Sequence, residues 1–144
     1  MSTVRKEITV AADPDHAFRV FTDRLNEWWP LHTHSLSLTR QGAPAVRAGF
    51  EDGVLFEVAP DGTRYVWGEV TAWEPPSRIA YTWRVGRDDD AHTNVVVTFE
   101  PVSVGTLVTV VHTGWEIWAD RADEVMASYH GGWDMVLGAY GKAT

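Results

Sequence analysis

At 144 residues, with no cysteine and a formal net charge of −8, the chain has the length of one domain with a sizeable core. It has no disulfide framework, thiolate zinc site or cysteine nucleophile. The acidic balance argues against a sequence-independent grip on nucleic acid, which needs clustered Lys and Arg, and against an anionic membrane surface. Eight tryptophans are the compositional anomaly, because each buries a large area yet needs a partner for its indole N–H.

The opening residues turn to charge at Arg5, Lys6 and Glu7 before any apolar run that would suit a secretion signal. No segment approaches the roughly 20 apolar residues that span a bilayer. The expected location is therefore the cytoplasm, with neither nucleic acid nor membrane as partner.

In chain order, Ile8, Thr9 and Val10 alternate and close a strand that begins near Val4. Asp13 is a helix N-cap with Pro14 at the first helical position. Ala17, Phe18, Phe21, Leu25 and Trp28 follow at three- or four-residue spacing, giving one apolar face over two short helices that Pro30 ends. Residues 31–45 have no clear period and read as a loop.

From Val46 to Thr113 the pattern is that of strands. Gly53 and Gly62 mark hairpin turns after acidic residues, since glycine supplies the positive φ such turns need. Breaks at 74–77, 86–90 and 103–105 complete six consecutive antiparallel strands, seven with the first. Trp118, Ala122, Val125, Tyr129, Trp133, Val136 and Tyr140 then step by three or four, predicting a long amphipathic C-terminal helix. Asp120, Asp123 and Glu124 sit near its start, where the helix dipole favours acid. There is no internal repeat, and one domain spanning 1–144 is expected.

Four pieces of this order resemble a known superfamily. They are ITVAADP at 8–14 with Ala17 and Phe18, GEVTAWEPPSRIAYTW at 68–83, GTLVTVVHTG at 105–114, and Gly132 with Trp133. Together they resemble the START-like, helix-grip superfamily, also called SRPBCC. The branch is the one named after the activator of the heat-shock-protein-ninety ATPase. The resemblance implies an α+β helix-grip fold: a seven-stranded curved antiparallel sheet wrapped around the C-terminal helix, with two short helices between strands one and two. It also implies a hydrophobic cavity between sheet and helix. Relatives include lipid carriers, hormone-binding proteins, polyketide cyclases and a co-chaperone domain, so fold alone names no activity.

Alternation puts Ile79, Tyr81, Trp83 and Val85 on one side of their strand, and Val108, Val110 and His112 on one side of the last. The candidate ligand-binding set is Trp28, Trp29, Phe56, Trp67, Tyr81, Trp83, His112, Tyr129 and Trp133, with Trp28 and Trp29 at the mouth. An empty void of roughly 300 Å³ would cost about 7 kcal/mol, comparable with a domain's whole stability. Water or ligand therefore fills the cavity, or the tryptophans close it.

His112, an imidazole within an apolar strand, either bonds a neighbouring group or water or serves as the candidate catalytic residue and orienting group. Glu57, Glu69, Glu100 and Glu116 include no pair singled out by spacing. His32 and His34 have no obvious third ligand, whereas catalytic zinc takes three. The acidic run 88–90 lacks the spaced oxygens of a calcium loop, and 42–49 lacks the Gly-Lys-Ser/Thr ending of a phosphate loop. No metal and no cofactor are expected.

The expected function is binding of a hydrophobic or amphipathic small molecule in the cavity, oriented by indole N–H groups and His112. A cyclase- or dehydratase-like enzyme using His112 as base is one alternative. The other is a co-chaperone-like module with a chaperone or other protein partner, docking through exposed aromatics such as Trp28 or Trp118.

Overall fold

The computed structural model describes residues 3–85, 87 and 89–144; of the break at 86–90, Gly86 and Asp88 lie outside the described residues. Strand β1 (Val4–Val10) is followed by helices α1 (Pro14–Phe21), α2 (Leu25–Trp28) and α3 (Leu36–Gln41). Six strands come next: β2 (Arg47–Glu51), β3 (Val54–Val58), β4 (Arg64–Glu74), β5 (Arg78–Trp83), β6 (Thr93–Val102) and β7 (Gly105–Thr113). A 3-10 segment (Trp115–Arg121) then leads into helix α4 (Ala122–Ala143). The strands form one antiparallel sheet of order β1-β7-β6-β5-β4-β3-β2, so each sequential hairpin is also a spatial neighbour and β1 closes against β7. This is the helix-grip fold that the sequence predicts.

The sheet curves at β4, whose first half pairs with β3 and whose second half pairs with β5, with register shifts on both sides. Gly68 makes the bend possible. A Cβ there would lie 1.7 Å from the carbonyl oxygen of Thr82, so only glycine allows the two backbones to approach this closely. The Thr82 hydroxyl accepts the Glu69 N–H at 2.9 Å, satisfying a donor that the irregular ladder leaves over.

Two expectations need correction. The stretch 31–45 is not all loop, because α3 occupies Leu36–Gln41. At six residues it is too short to show a period. Its signals are caps: the Ser35 side chain accepts the Leu38 N–H, and Gly42 ends the helix in the left-handed region at φ 76°. Three short helices, rather than two, therefore lie between β1 and β2. Trp118 does not belong to the long helix either. Gly114 at φ 92° and Ala119 at φ 51° break the backbone twice, so the regular helix starts at Ala122.

The interior has two ends. At one, Phe18 and Phe21 of α1, Trp28 of α2, Phe99 of β6 and Tyr140 of α4 pack ring on ring at 5.2–5.8 Å. The Tyr140 hydroxyl donates to the Ala17 carbonyl at 2.7 Å, fastening α4 to α1. At the other end α4 stands off the sheet, and a cleft opens. Among the described residues no helix is long and apolar enough to cross a membrane.

Candidate functional site

The cleft has a volume of about 280 Å³ and is partly open. Its walls come from three directions: Trp67 of β4 and Trp83 of β5 on the sheet, Tyr129 and Trp133 of α4, and Trp29 with residues 33–36 from the segment around α3. The rings form a connected set. Trp29 lies 4.9 Å from Trp67 and 6.2 Å from Trp83, and Trp83 lies 6.4 Å from both Tyr129 and Trp133. Gly132 lines the cleft as well, opposite His34.

Of the nine residues that the sequence singles out, five line the cleft: Trp29, Trp67, Trp83, Tyr129 and Trp133. The other four stand elsewhere. Trp28 turns into the closed end of the core, against Phe21 and Tyr140, with its indole N–H on the Val20 carbonyl at 2.7 Å. It parts from Trp29 because α2 stops between them and Trp29 is extended, at φ −60° and ψ 128°. Phe56 lies beneath the guanidinium groups of Arg64, at 3.6 Å, and Arg47, at 5.2 Å. Its neighbour Glu57 takes the cleft-facing position, because strand side chains alternate. Tyr81 packs beside Phe50 and Trp83, behind the wall.

His112 is fully buried and lies outside the lining. Its Nδ1 accepts the Trp133 indole N–H at 3.0 Å, which places the ring proton on Nε2. That proton goes to the Thr93 hydroxyl oxygen at 2.6 Å, and Thr93 in turn donates to the Trp83 carbonyl at 3.1 Å. Both ring nitrogens are thus engaged. Burial pushes the His112 pKa down to about 3, since a cation here would lack water. This imidazole holds Trp133 and the β5–β6 ends in place, with both of its nitrogens engaged by protein groups.

The indole N–H groups are also unavailable. Trp29 donates to the His34 carbonyl (2.9 Å), Trp67 to Glu57 Oε1 (2.7 Å), Trp83 to the Tyr129 hydroxyl (2.7 Å) and Trp133 to His112. The expectation that they orient a ligand is therefore corrected.

Among the described residues the one carboxylate in the cleft wall is Glu57. The side chain is fully buried yet lines the cleft. Oε1 accepts from Leu36 N at 2.6 Å and from Trp67 Nε1; Oε2 accepts from Ser37 N at 2.9 Å. A strand carboxylate thus binds the free N–H groups of the first turn of α3 and holds that helix over the cleft. In the sequence Glu57 is one of four unsorted acids. Its flanks, Phe56 and Val58, were the available signal, because a lone acid inside an apolar strand must find donors.

The remaining polar groups are modest. The Tyr129 hydroxyl accepts from Trp83, and among the described residues it has no acceptor for its own proton. Burial raises its pKa, partly offset by that indole bond. His34 bonds the Thr33 hydroxyl through Nδ1 at 2.8 Å, and its pKa is lowered by burial and then by the charge of His32. Among the described residues no group of three metal-ligating side chains forms.

Known proteins share this fold. Among curated proteins none matches the chain. Among solved structures, protein MLL2253 from Mesorhizobium loti superposes with a TM-score of 0.70 at 21% identity, over 98% of this chain and 95% of that one. The Aha1 dimer from Colwellia psychrerythraea gives 0.70 at 17%, over 99% and 96%. An anthrahydroquino-γ-pyrone synthase, Txn09, gives 0.63 at 29%, over 100% and 97%. The first two likenesses show the shared fold. The model of the "Activator of Hsp90 ATPase homolog 1-like protein" family matches residues 11–139, and the chain belongs to that family.

Proposed function

We propose that the protein binds a small, largely apolar molecule in the cleft between the sheet and α4. The observation that carries this reading is a part-open space of about 280 Å³ with Trp29, Trp67, Trp83, Tyr129 and Trp133 on its walls. Apolar walls with a few placed polar groups are the usual character of ligand sites. A part-open space with polar groups at its edge is filled by solvent until a ligand displaces it. Removing indole and phenol faces from water is worth about 25 cal/mol per Å². Flat rings do this with little loss of side-chain freedom, because their own packing already fixes the wall rings.

The test is native mass spectrometry of gently purified protein, followed by extraction of bound material under denaturing conditions. A recurrent small-molecule adduct, released on unfolding and depleted in a Trp83→Ala variant, is expected. Adducts that persist unchanged in that variant would place the ligand elsewhere.

A second reading is an enzyme of the cyclase type. What favours it is the 29% identity, over essentially the whole length of both chains, to an anthrahydroquino-γ-pyrone synthase. In this reading the cleft folds and orients a reactive chain. Proton transfer falls to the groups that line the space, Glu57 and Tyr129, and not to His112. Turnover of a proven substrate that survives Glu57→Gln and Tyr129→Phe would remove it. Docking of a protein partner through Trp28 has less support, because Trp28 is buried and Trp118 lies against Arg87 and Arg121.

A further inference from the structure

The accessible polar atoms of the cleft select a ligand polarity, on the reading that the cleft binds a small molecule. The deep wall selects none. Each lining indole donates its N–H to a protein acceptor, and Glu57 is taken up by Leu36, Ser37 and Trp67. The rim carries Thr33, His34 and Thr39 on one side and Ser128 of α4 on the other. Thr33, Thr39 and Ser128 are exposed, and His34 is half-buried. A hydroxyl rotates to donate or to accept, so Thr39 and Ser128 suit ligands of either kind.

His34 differs, because its surroundings fix where its proton sits. Its backbone N–H donates to the Pro30 carbonyl at 2.8 Å, and its own carbonyl accepts the Trp29 indole at 2.9 Å. Nδ1 meets the Thr33 hydroxyl at 2.8 Å. The other acceptors near that hydroxyl are the Pro30 carbonyl at 3.3 Å and the Met135 sulfur at 3.8 Å. Pro30 already accepts the N–H groups of Thr33 and His34, which fill its lone pairs, and a thioether is a weak acceptor. The Thr33 proton therefore goes to Nδ1, and the ring proton stands on Nε2. Burial, and then the charge of His32, lower the His34 pKa, so the ring is uncharged at neutral pH and keeps one donor.

Nε2 has no partner among the described residues, and Gly132 shows where it stands. Ser128, Tyr129, Gly132, Trp133 and Val136 form the face of α4 that lines the cleft. A Cβ on Gly132 would project from the middle of that face, and the nearest atom it would meet is His34 Nε2, at 4.0 Å. The Nε2–H group thus stands at the cleft, beside space that the missing side chain leaves open. Tyr129, whose oxygen already accepts from Trp83, likewise has a proton left to donate. No Lys or Arg lines the cleft among the described residues, so a ligand anion would have no counter-charge there.

We propose that His34 is the specificity-determining residue of the cleft, its Nε2–H donating to the carbonyl of an uncharged aromatic ketone or quinone whose rings lie against the indoles. Such a ligand enters rings first, and its carbonyl is held at the rim between α4 and the segment before α3.

Equilibrium dialysis against four probes tests this: 2-acetonaphthone, its apolar isostere 2-isopropylnaphthalene, 2-naphthoate and 2-naphthyltrimethylammonium. The quantity read is the ratio of ketone to hydrocarbon affinity, in which the difference in their transfer from water cancels between variants. His34→Leu should lower that ratio about two- to tenfold, the range for one neutral hydrogen bond. His34→Gln, whose amide reaches the place of Nε2, should keep it. On the unaltered protein, long-range proton–nitrogen NMR spectra should show the His34 ring proton on Nε2. That nitrogen signal should move with the ketone and not with the hydrocarbon, a reading that needs no variant to fold. An equal ratio in all three proteins, or a ring proton on Nδ1, would overturn the role of His34 while leaving the cleft as a ligand site. Naphthoate or the ammonium probe binding most tightly would overturn it in favour of an anion or cation site. Binding by none of the four would overturn it and the small-molecule reading together.

Discussion

Trp133 of α4 donates its indole N–H to Nδ1 of His112 on β7 at 3.0 Å, and this bond ties the gripped helix to the sheet beside the cleft. It requires a neutral imidazole, because a protonated ring has no acceptor to offer. The His112 pKa of about 3 in the folded protein lies below the ordinary value of 6.5 that applies once the chain unfolds.

A pH dependence follows. Between pH 6.5 and about 3 the unfolded state binds a proton at His112 that the folded state refuses, so stability falls as pH falls through that window. The contribution is complete above pH 6.5 and declines by about 1.4 kcal/mol per unit below it. Urea titrations at pH 7, 6 and 5 should show this slope, and His112→Gln should lack it. Identical slopes in the two proteins would mean that the imidazole stays hydrated and protonated in the folded state.

Thr93→Val removes the acceptor for the Nε2 proton of His112 while keeping the side-chain shape. A buried N–H without a partner costs about 1–3 kcal/mol, and chemical denaturation should report a loss in that range. A neutral result would show that another acceptor stands within reach.

Gly132 lines the cleft on α4, and the nearest atom to a Cβ added there is His34 Nε2 at 4.0 Å. Gly132→Ala should stabilise the protein by about 1 kcal/mol, the helix-propensity difference. Gly132→Leu should project into the open space and abolish the small-molecule adduct while the fold persists. An adduct retained at full occupancy in the native mass spectrum of Gly132→Leu would move the ligand site away from this cleft.

Not every glycine behaves this way. Gly131 and Gly138 have nothing within 4 Å of an added Cβ, so each Gly→Ala change should also gain about 1 kcal/mol. Gly68→Ala would drive its methyl into the Thr82 carbonyl and should cost about 3 kcal/mol or more, at the upper end for overpacking. Thermal melts of the three variants would separate them, and an unchanged melting temperature for Gly68→Ala would show that β4 can shift away from β5.

Glu57→Ala removes the acceptor of three N–H groups, those of Leu36, Ser37 and Trp67. Water can reach some of them through the open cleft, so the expected loss is about 3 kcal/mol rather than the full sum of three orphaned donors. Amide hydrogen exchange should accelerate selectively over Leu36–Gln41. Uniform acceleration across the sheet would instead indicate global destabilisation.

The order of elements and the fold are legible in the residues alone, because both rest on local signals. Period-two runs between glycine and proline breaks mark β2 to β7, and Asp13 with Pro14 marks the start of α1. The three- and four-residue steps of Val125, Tyr129, Trp133, Val136 and Tyr140 mark α4. The same holds for the five aromatic residues that line the cleft, since aromatic side chains on inward-facing positions have few other places to go. The helix at Leu36–Gln41 leaves no pattern, because six residues are too few to establish a period and its caps are single residues. Which polar atoms are engaged, by contrast, depends on long-range packing. His112 looks like the reactive group in one dimension, yet Trp133 and Thr93, 21 residues after it and 19 before it, occupy both of its nitrogens. Glu57 looks like one acid among four, yet α3 and Trp67 converge on it from 20 residues before and ten after. Hydrogen bonding between residues far apart in the chain has no periodicity, so no pattern in the sequence announces it.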